Sequence, residues 1–366
     1  MHKFYPASYD ASIYLQQPEQ NSGRDEILEV AKLYYGATKD INRILIKFDV
    51  SNLETGSGWK AYLNLKAAKS EEIPLEYTIY ANAVSQSWTM GTGTKFDNIT
   101  TDGVSWYYRD GITNWLLDDF VDYTSYASGS QGQVSGSIGS INNGGGGTWY
   151  TASMASQSFN NEPDDIRMNV TGIVNLWINN SLPNNGFILH HDLVKENDTQ
   201  DYGVLKFFSK ETNTIYEPKL EIVWDDSTFI TGSLLPITGS THSDALENTK
   251  IVVTDLKTTY FQNTKTKIRI KGRELFPYKT FSSTIGYDEV RYLPTSSYYQ
   301  IEDYVTNEII VPFDEYSKLS CDSKSNYFYL DTSEYAPDRF YRLKLKIESD
   351  GITKIVDDKL IFKIVE

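Results

Sequence analysis

The feature that most constrains this chain is a two-residue alternation of apolar and polar side chains, repeated in short runs from end to end. Successive side chains of a strand point to opposite faces, so this period builds sheets with one buried and one wet face. In 41–49, Ile44, Ile46 and Phe48 share one face, while Arg43, Lys47 and Asp49 share the other. Segment 61–67 sets Ala61, Leu63, Leu65 and Ala67 against Tyr62, Asn64 and Lys66, and 73–84 turns Leu75, Tyr77, Ile79 and Ala81 inward. Further runs follow at 186–194, 203–210 and 219–224, punctuated by Gly, Asn, Asp and Ser. The 27 Tyr, 16 Phe and 7 Trp agree with this reading, because ring side chains pack well on a half-buried pleated surface.

The alternation pauses after Trp224. Residues 225–248 are rich in Ser, Thr, Gly and Asp and read as an interdomain passage. It resumes at 250–256 and 266–272 and continues through 341–349, where Tyr341, Leu343, Leu345 and Ile347 share a face. The expected fold is all-β, with two antiparallel β-sandwich domains. Residues 1–227 form a jelly-roll-like sandwich; residues 228–366 form a linker plus an immunoglobulin-like sandwich of about seven strands. A chain of 366 residues suits two such cores. Two short helices are expected, at 113–123 and at 169–179, the second with Thr171 as N-cap before Ile173, Val174 and Trp177. Residues 127–147 hold eight glycines and cannot build a core, so they are a loop of the first domain.

Charge narrows the partners. A formal charge of −15 repels phosphate backbones, so no nucleic-acid partner is expected. The basic run "KTKIRIKGR" (265–273) reads as the wet face of a strand. No apolar run nears the ~18 residues that span a bilayer, so no membrane partner is expected either. The opening residues lack a basic and then apolar leader, which points to a product kept in a cytoplasm or released by lysis. The single Cys321 excludes an intrachain disulfide.

Residues able to carry chemistry are few. His190 and His191 are adjacent on a strand and point to opposite faces, so they cannot grip one metal together and read as polar edge histidines. The paired acids Asp118–Asp119, Asp164–Asp165, Asp225–Asp226 and Asp357–Asp358 read as turns and caps. A glycosidase pair would need about 5–9.5 Å between carboxylates across a cleft, and calcium would need several loop oxygens. No nucleophile elbow is present, and Cys321 has no nearby His. The expectation is no catalytic residue, no cofactor and no metal. The richest aromatic cluster is Trp88, Trp106, Tyr108 and Trp115. Exposed, these rings could stack on sugars and form a glycan site; buried, they are core and cap residues.

The first domain also resembles DNRLRE-type domains. The residues that carry the likeness are "YDASIYLQQPEQNSGRDEILEV" (9–30), with its Asn-Ser-Gly, and "INRILIKFD" (41–49), with Arg43, Phe48 and Asp49. "AYLNLKA", "IYANAVSQSW", "MNVTGIVNLW", "NNGFIL" and "FFSKETNTIYEPKLEIVW" follow in order over about residues 1–225, although "WTMGTGT" lacks the acid that usually follows the Trp. The resemblance implies a β-sandwich module related to carbohydrate-binding domains. The blend of "DGVSWYYRDG" with "RYLPTSSYYQIEDYVTNE" and "PDRFYRLKLKI" is similar to tailed-phage virion structural proteins. What this implies is a non-enzymatic virion component of the tail, neck or baseplate, with other virion proteins as partners in a symmetric assembly of many copies. A glycan-binding adhesion module for a host surface is the alternative, and a polysaccharide depolymerase the third reading. The glycine-rich loop, with Val134, Ile138 and Gly144 as contacts, is expected to become ordered against a neighbouring chain, because ordering costs about 1–2 kcal/mol per residue.

Overall fold

The computed structural model describes residues 1–36, 38–71, 73–74, 76–115, 145–160, 165–237, 246–276, 289–333, 335–349 and 351–366. The chain divides into two compact units: Phe4–Glu54 with Lys60–Ile222, and Met1–Lys3 with Thr55–Trp59 and Val223–Glu366. Both are all-β and of sandwich type, as the alternation requires.

The N-terminal unit draws on β1 (His2–Tyr14), β2 (Ile27–Tyr35), β3 (Thr38–Phe48), β4 (Lys60–Leu65), β5 (Ala67–Glu71), β6 (Glu76–Val84), β7 (Trp149–Asn160), β8 (Ile166–Asn169), β9 (Phe187–His191), β10 (Gly203–Phe208) and β11 (Lys219–Val223). Two short helices, α1 (Thr171–Ile178) and α2 (Leu193–Asn197), join them. The strand order is β5-β10-β2-β3-β1-β11-β4-β8, with β9, β6 and β7 branching from β3. One edge of β3 pairs with β1, through Asp10↔Ile46 and Ser12↔Ile44. The other edge pairs first with β2, through Ala31↔Asn42, and then with β9, through Ile44↔Leu189.

Strand β3 is therefore central, and Ile41 to Ile46 are all buried. The expected wet face of this strand is corrected here for Arg43. The two-residue period separates the faces properly, but a second layer covers the side meant for water. Strand β9 is likewise interior, so His190 and His191 are buried rather than edge residues. Helix α1 buries Ile173, Val174 and Trp177, as its period requires. Thr171 lies inside its first turn, after a Val170 N-cap. The Thr171 hydroxyl donates to Asn169 Oδ1 (2.7 Å) and accepts from the Ala61 amide (2.9 Å), which ties the helix to β4. Leu75 and residues 116–123 of the helix expected at 113–123 lie outside the described residues; its first three, Thr113 to Trp115, are described and are not helical, Asn114 forming a bridge with Tyr108.

The C-terminal unit holds β12 (Leu235–Pro236), β13 (Thr249–Thr254), β14 (Thr259–Phe261), β15 (Lys265–Glu274), β16 (Arg291–Tyr292), β17 (Ser297–Asp303), β18 (Ile309–Val311), β19 (Ser320–Cys321), β20 (Asn326–Asp331), β21 (Phe340–Ser349) and β22 (Ile352–Val365). One sheet runs β12-β16-β15-β20-β19 with β13 on β15; the other runs β14-β22-β21-β17-β18. Tyr299 of one sheet stacks on Phe328 of the other, with ring centroids 4.2 Å apart, so the two faces meet as a sandwich core. The sheets are not wholly antiparallel: β12–β16 and β14–β22 are parallel. The second arises because the chain leaves the β13 sheet at Asp255, whose φ is 68°, and joins the opposite sheet as β14. Strands that switch sheets make such corners.

Candidate functional site

The loop that carries the aromatic cluster, residues 85–115, is held down on the sheet by two buried polar anchors. The first is the Asn-Ser-Gly of the opening segment. Asn21 is fully buried. Its amide nitrogen donates to the carbonyls of Met90 (2.7 Å) and Val104 (2.8 Å). Its oxygen accepts from the amides of Gly23 (3.2 Å) and Gly93 (2.8 Å). A carboxamide has two donors and two lone pairs, so every one is used. The Ser22 hydroxyl bonds both backbone groups of Ser12, accepting at 2.9 Å and donating at 2.6 Å. A Cβ at Gly23 would lie 2.2 Å from the Met90 oxygen, so only glycine fits beside the loop.

The second anchor is Arg43. Its Nε donates to Glu196 Oε1 (3.2 Å), Nη2 to Glu196 Oε2, and Nη1 to the Gly146 carbonyl (2.6 Å). The guanidinium carbon lies 5.2 Å from the Trp106 ring centroid and 5.0 Å from that of Trp149. Arginine suits this place because its flat, weakly hydrated fork binds a carboxylate in two places and stacks on rings. Glu196 sits on α2, where Asp192 caps the helix by accepting from the Val194 amide (2.8 Å). Burial pushes the Glu196 carboxyl above its usual range, and the Arg43 charge pulls it back.

Around the clamp lies a core cluster of Ala11, Ile13, Ile41, Leu45, Val84, Trp88, Met90, Val104, Trp106, Trp115, Trp149 and Ile188. Trp88 donates to the Asn185 carbonyl (2.7 Å) and Trp115 to the Ser105 carbonyl (3.0 Å). His190 stacks on Trp149 at 4.6 Å. Its ring nitrogens face the His191 carbonyl and Asn82 Oδ1, and burial with the Arg43 charge holds its pKa down at about 3. The neutral ring therefore donates to one of the two. His191 points to the other side, toward Tyr202, and burial holds its pKa down at about 3 as well. Lys32, also fully buried, donates to the carbonyls of Asp198 (2.9 Å) and Gln200 and gathers that loop.

The structure brings Trp88, Trp106 and Trp115 together, but as core. Trp106 and Trp115 are 0% exposed and Trp88 7%, so no face of these rings is open to a sugar. The glycan site expected there is corrected: the same rings that could cap a sugar cap the sheet instead. Tyr108 is half-buried, pairs with Asn114 in an isolated bridge and meets Tyr107 edge-on. The partner contacts Val134, Ile138 and Gly144 lie outside the described residues. The end of the glycine run is described, and it is buried. Gly145, Gly146 and Gly147 all have positive φ, the Gly146 amide donates to the Trp106 carbonyl (2.7 Å), and a Cβ at Gly147 would lie 2.6 Å from Ile188. For these three glycines the ordering contacts come from their own domain.

Sequence reasoning missed Glu196, Lys32 and Asn82, whose partners lie far along the chain. Arg43 was singled out only through the resemblance, because in "INRILIKFD" it keeps the same period as the polar Lys47 and Asp49. Asp225 acts in a local turn, accepting from the Ser227 amide (2.9 Å), but Asp165 does not: it accepts from the Ala67 amide (2.8 Å) and pairs with Lys66 (3.0 Å), far away along the chain. Cys321 is buried, and burial pushes its thiol up to about 11. Among the described residues no His, Cys, Asp and Glu cluster could hold a metal ion, and no helix is long and apolar enough to cross a membrane.

No family model matches the chain, and no curated protein does. Among solved structures it is similar to a DUF4785 family protein from Legionella pneumophila subsp. pneumophila str. Philadelphia 1, at 11% identity and a TM-score of 0.20. That match covers 100% of this chain and 64% of the neighbour, so the chain spans less than two thirds of the neighbour's length.

Proposed function

We propose that this chain is a non-enzymatic structural component of a tailed-phage virion, associated with the tail, neck or baseplate and present in several copies beside other virion proteins. The observation that carries this reading is what the signature residues do. Asn21, Ser22, Gly23 and Arg43, which carry the DNRLRE-type resemblance, all hold loops onto the sheet. Side chains used in this way build a rigid scaffold that presents surfaces, which is the work of a particle component. The adhesion reading loses its three tryptophans with the burial of Trp88, Trp106 and Trp115 and keeps only the half-buried Tyr108.

Peptide mass spectrometry of purified particles tests the proposal, with the chain expected among the virion proteins at a fixed copy number. Its absence from washed, infectious particles would overturn it. Release of new reducing ends from host capsule by the purified chain, abolished by one acidic substitution, would overturn the non-enzymatic part.

A further inference from the structure

The C-terminal unit carries a basic face on an acidic protein. Strand β15 places Lys265, Lys267, Arg269, Lys271 and Arg273 at alternate positions, so all five share the outward face, while Ile268, Ile270 and Gly272 are buried on the other. The expected wet face of "KTKIRIKGR" is thus real, and it is crowded. Like charges two residues apart on a strand sit about 7 Å from one another. Lys250 of β13 lies directly opposite Arg273 in the ladder and is exposed, which adds a sixth cation. Like charges facing each other across a ladder destabilise it unless a counter-charge is near.

Within the unit, Asp322 takes Lys267 (2.9 Å) and both Nη groups of Arg269 (2.9 and 3.0 Å). On the same face, Lys267 lies over the Tyr327 ring (3.4 Å to its centroid) and Lys265 over Tyr329 (5.4 Å). The face is therefore a fixed, cationic strip with rings beneath the ammonium groups. The charges of the chain are unevenly divided. The segments of the N-terminal unit hold 27 acidic against 15 basic residues; those of the C-terminal unit hold 22 against 19.

We propose that this strip is a contact surface for the acidic N-terminal unit of a second copy of this chain. Charge complementarity selects the occupant: every copy brings one basic strip and one strongly acidic unit, in equal number. A contact between unlike faces of identical chains is heterologous and runs head to tail, closing into a ring or continuing as a filament. A nucleic acid would also answer the strip's charge, but the field of the whole chain opposes it. The inference deepens the assembly reading above and rests on it.

Sedimentation velocity of the purified full chain tests it, at about 50 mM and about 500 mM NaCl, since such contacts weaken as the screening length shortens. Self-association is expected in the dilute salt and monomer in the concentrated salt. The variant Lys250→Glu/Lys265→Glu/Lys271→Glu, which spares the Asp322 cluster, should associate at least about tenfold more weakly. The matching Lys→Arg variant should associate as the wild type does, and melting curves of both should overlay the wild type. A monomer at every salt, or association indifferent to salt and to charge reversal, would overturn the inference. So would tight binding of a fluorescent oligonucleotide that charge reversal abolishes. A chain that self-associates as described yet is missing from particles would sink the virion reading alone. A monomeric chain found in particles would sink this inference alone.

Discussion

Replacing Glu196 by alanine tests the clamp at the centre of the N-terminal unit. Arg43 is fully buried and would lose both bonds to the carboxylate, while the Gly146 carbonyl and the faces of Trp106 and Trp149 stay beside it. Removing one partner of a buried pair leaves an uncompensated charge and costs about 3–5 kcal/mol. For a unit of this size each kcal/mol lowers Tm by about 2–4 °C, so Glu196→Ala should melt about 6–20 °C below the wild type. The double variant Arg43→Met/Glu196→Leu removes the charge with its partner and should recover to within about 1–2 kcal/mol, because apolar replacements of buried pairs are often neutral. Urea unfolding followed by tryptophan fluorescence is the direct assay, since Trp106 and Trp149 flank the guanidinium. A loss below about 1 kcal/mol in the single variant, or a double variant worse than both singles, would refute the reasoning.

Asp10 is buried, accepts from the Lys210 amide (2.6 Å), and burial pushes its pKa up to about 7. The folded state thus favours the protonated carboxyl, and that stability is lost as pH rises from about 4 to about 7. Asp10→Asn should leave melting near pH 4 unchanged and raise stability near pH 8 by up to about 4 kcal/mol. His191 is held neutral by burial, so its contribution runs the other way: stability falls as pH drops below about 6.5 toward the folded value of about 3. His191→Leu should outlast the wild type near pH 4.5 by about 2–3 kcal/mol and match it within about 1 kcal/mol near pH 7.5. In hydrogen exchange of the free chain, the Gly146 amide should be protected, and exchange within seconds would show that its bond to Trp106 is not held.

The buried half of each strand was legible because a strand has only two faces. Tyr341, Leu343, Leu345 and Ile347 are buried, as are Ile44, Ile46 and Phe48. What alternation cannot report is a second cover on the wet side. Arg43 obeys the same period as Lys47, yet Arg43 is 0% exposed, because α2 and the 85–115 loop close over it. The aromatic cluster was visible as a cluster, but composition does not say whether a ring faces water or the sheet. His190 and His191 were rightly set on opposite faces, and wrongly at an edge, because pairing of β9 with β3 and β6 joins segments more than a hundred residues apart. The Asn-Ser-Gly was noticed as part of a resemblance; its reason appears only with Met90, Gly93 and Val104 around it.

That corner shows how a chain with one cysteine can fix a long loop without a covalent staple. A disulfide contributes about 2–4 kcal/mol, mainly by restricting the unfolded chain. Asn21 works on the folded side instead, joining one residue to three points of the 90–104 segment and to Gly23. Asn21→Leu would strand two carbonyls and two amides away from water. Each lost bond costs about 1 kcal/mol net and more where the group stays dry, so the total should reach about 4 kcal/mol, comparable with a disulfide. Asn21→Asp is the sharper probe. It keeps the acceptors for Gly23 and Gly93, loses the donors to Met90 and Val104, and places a carboxylate against two carbonyl oxygens. It should be at least as damaging as leucine near pH 8 and recover in acid, where the protonated carboxyl can donate to one of them. Limited proteolysis would locate the damage, with cleavage expected first within 85–115. If both variants stay within about 1 kcal/mol of the wild type and resist cleavage there, the loop is held by its tryptophans alone.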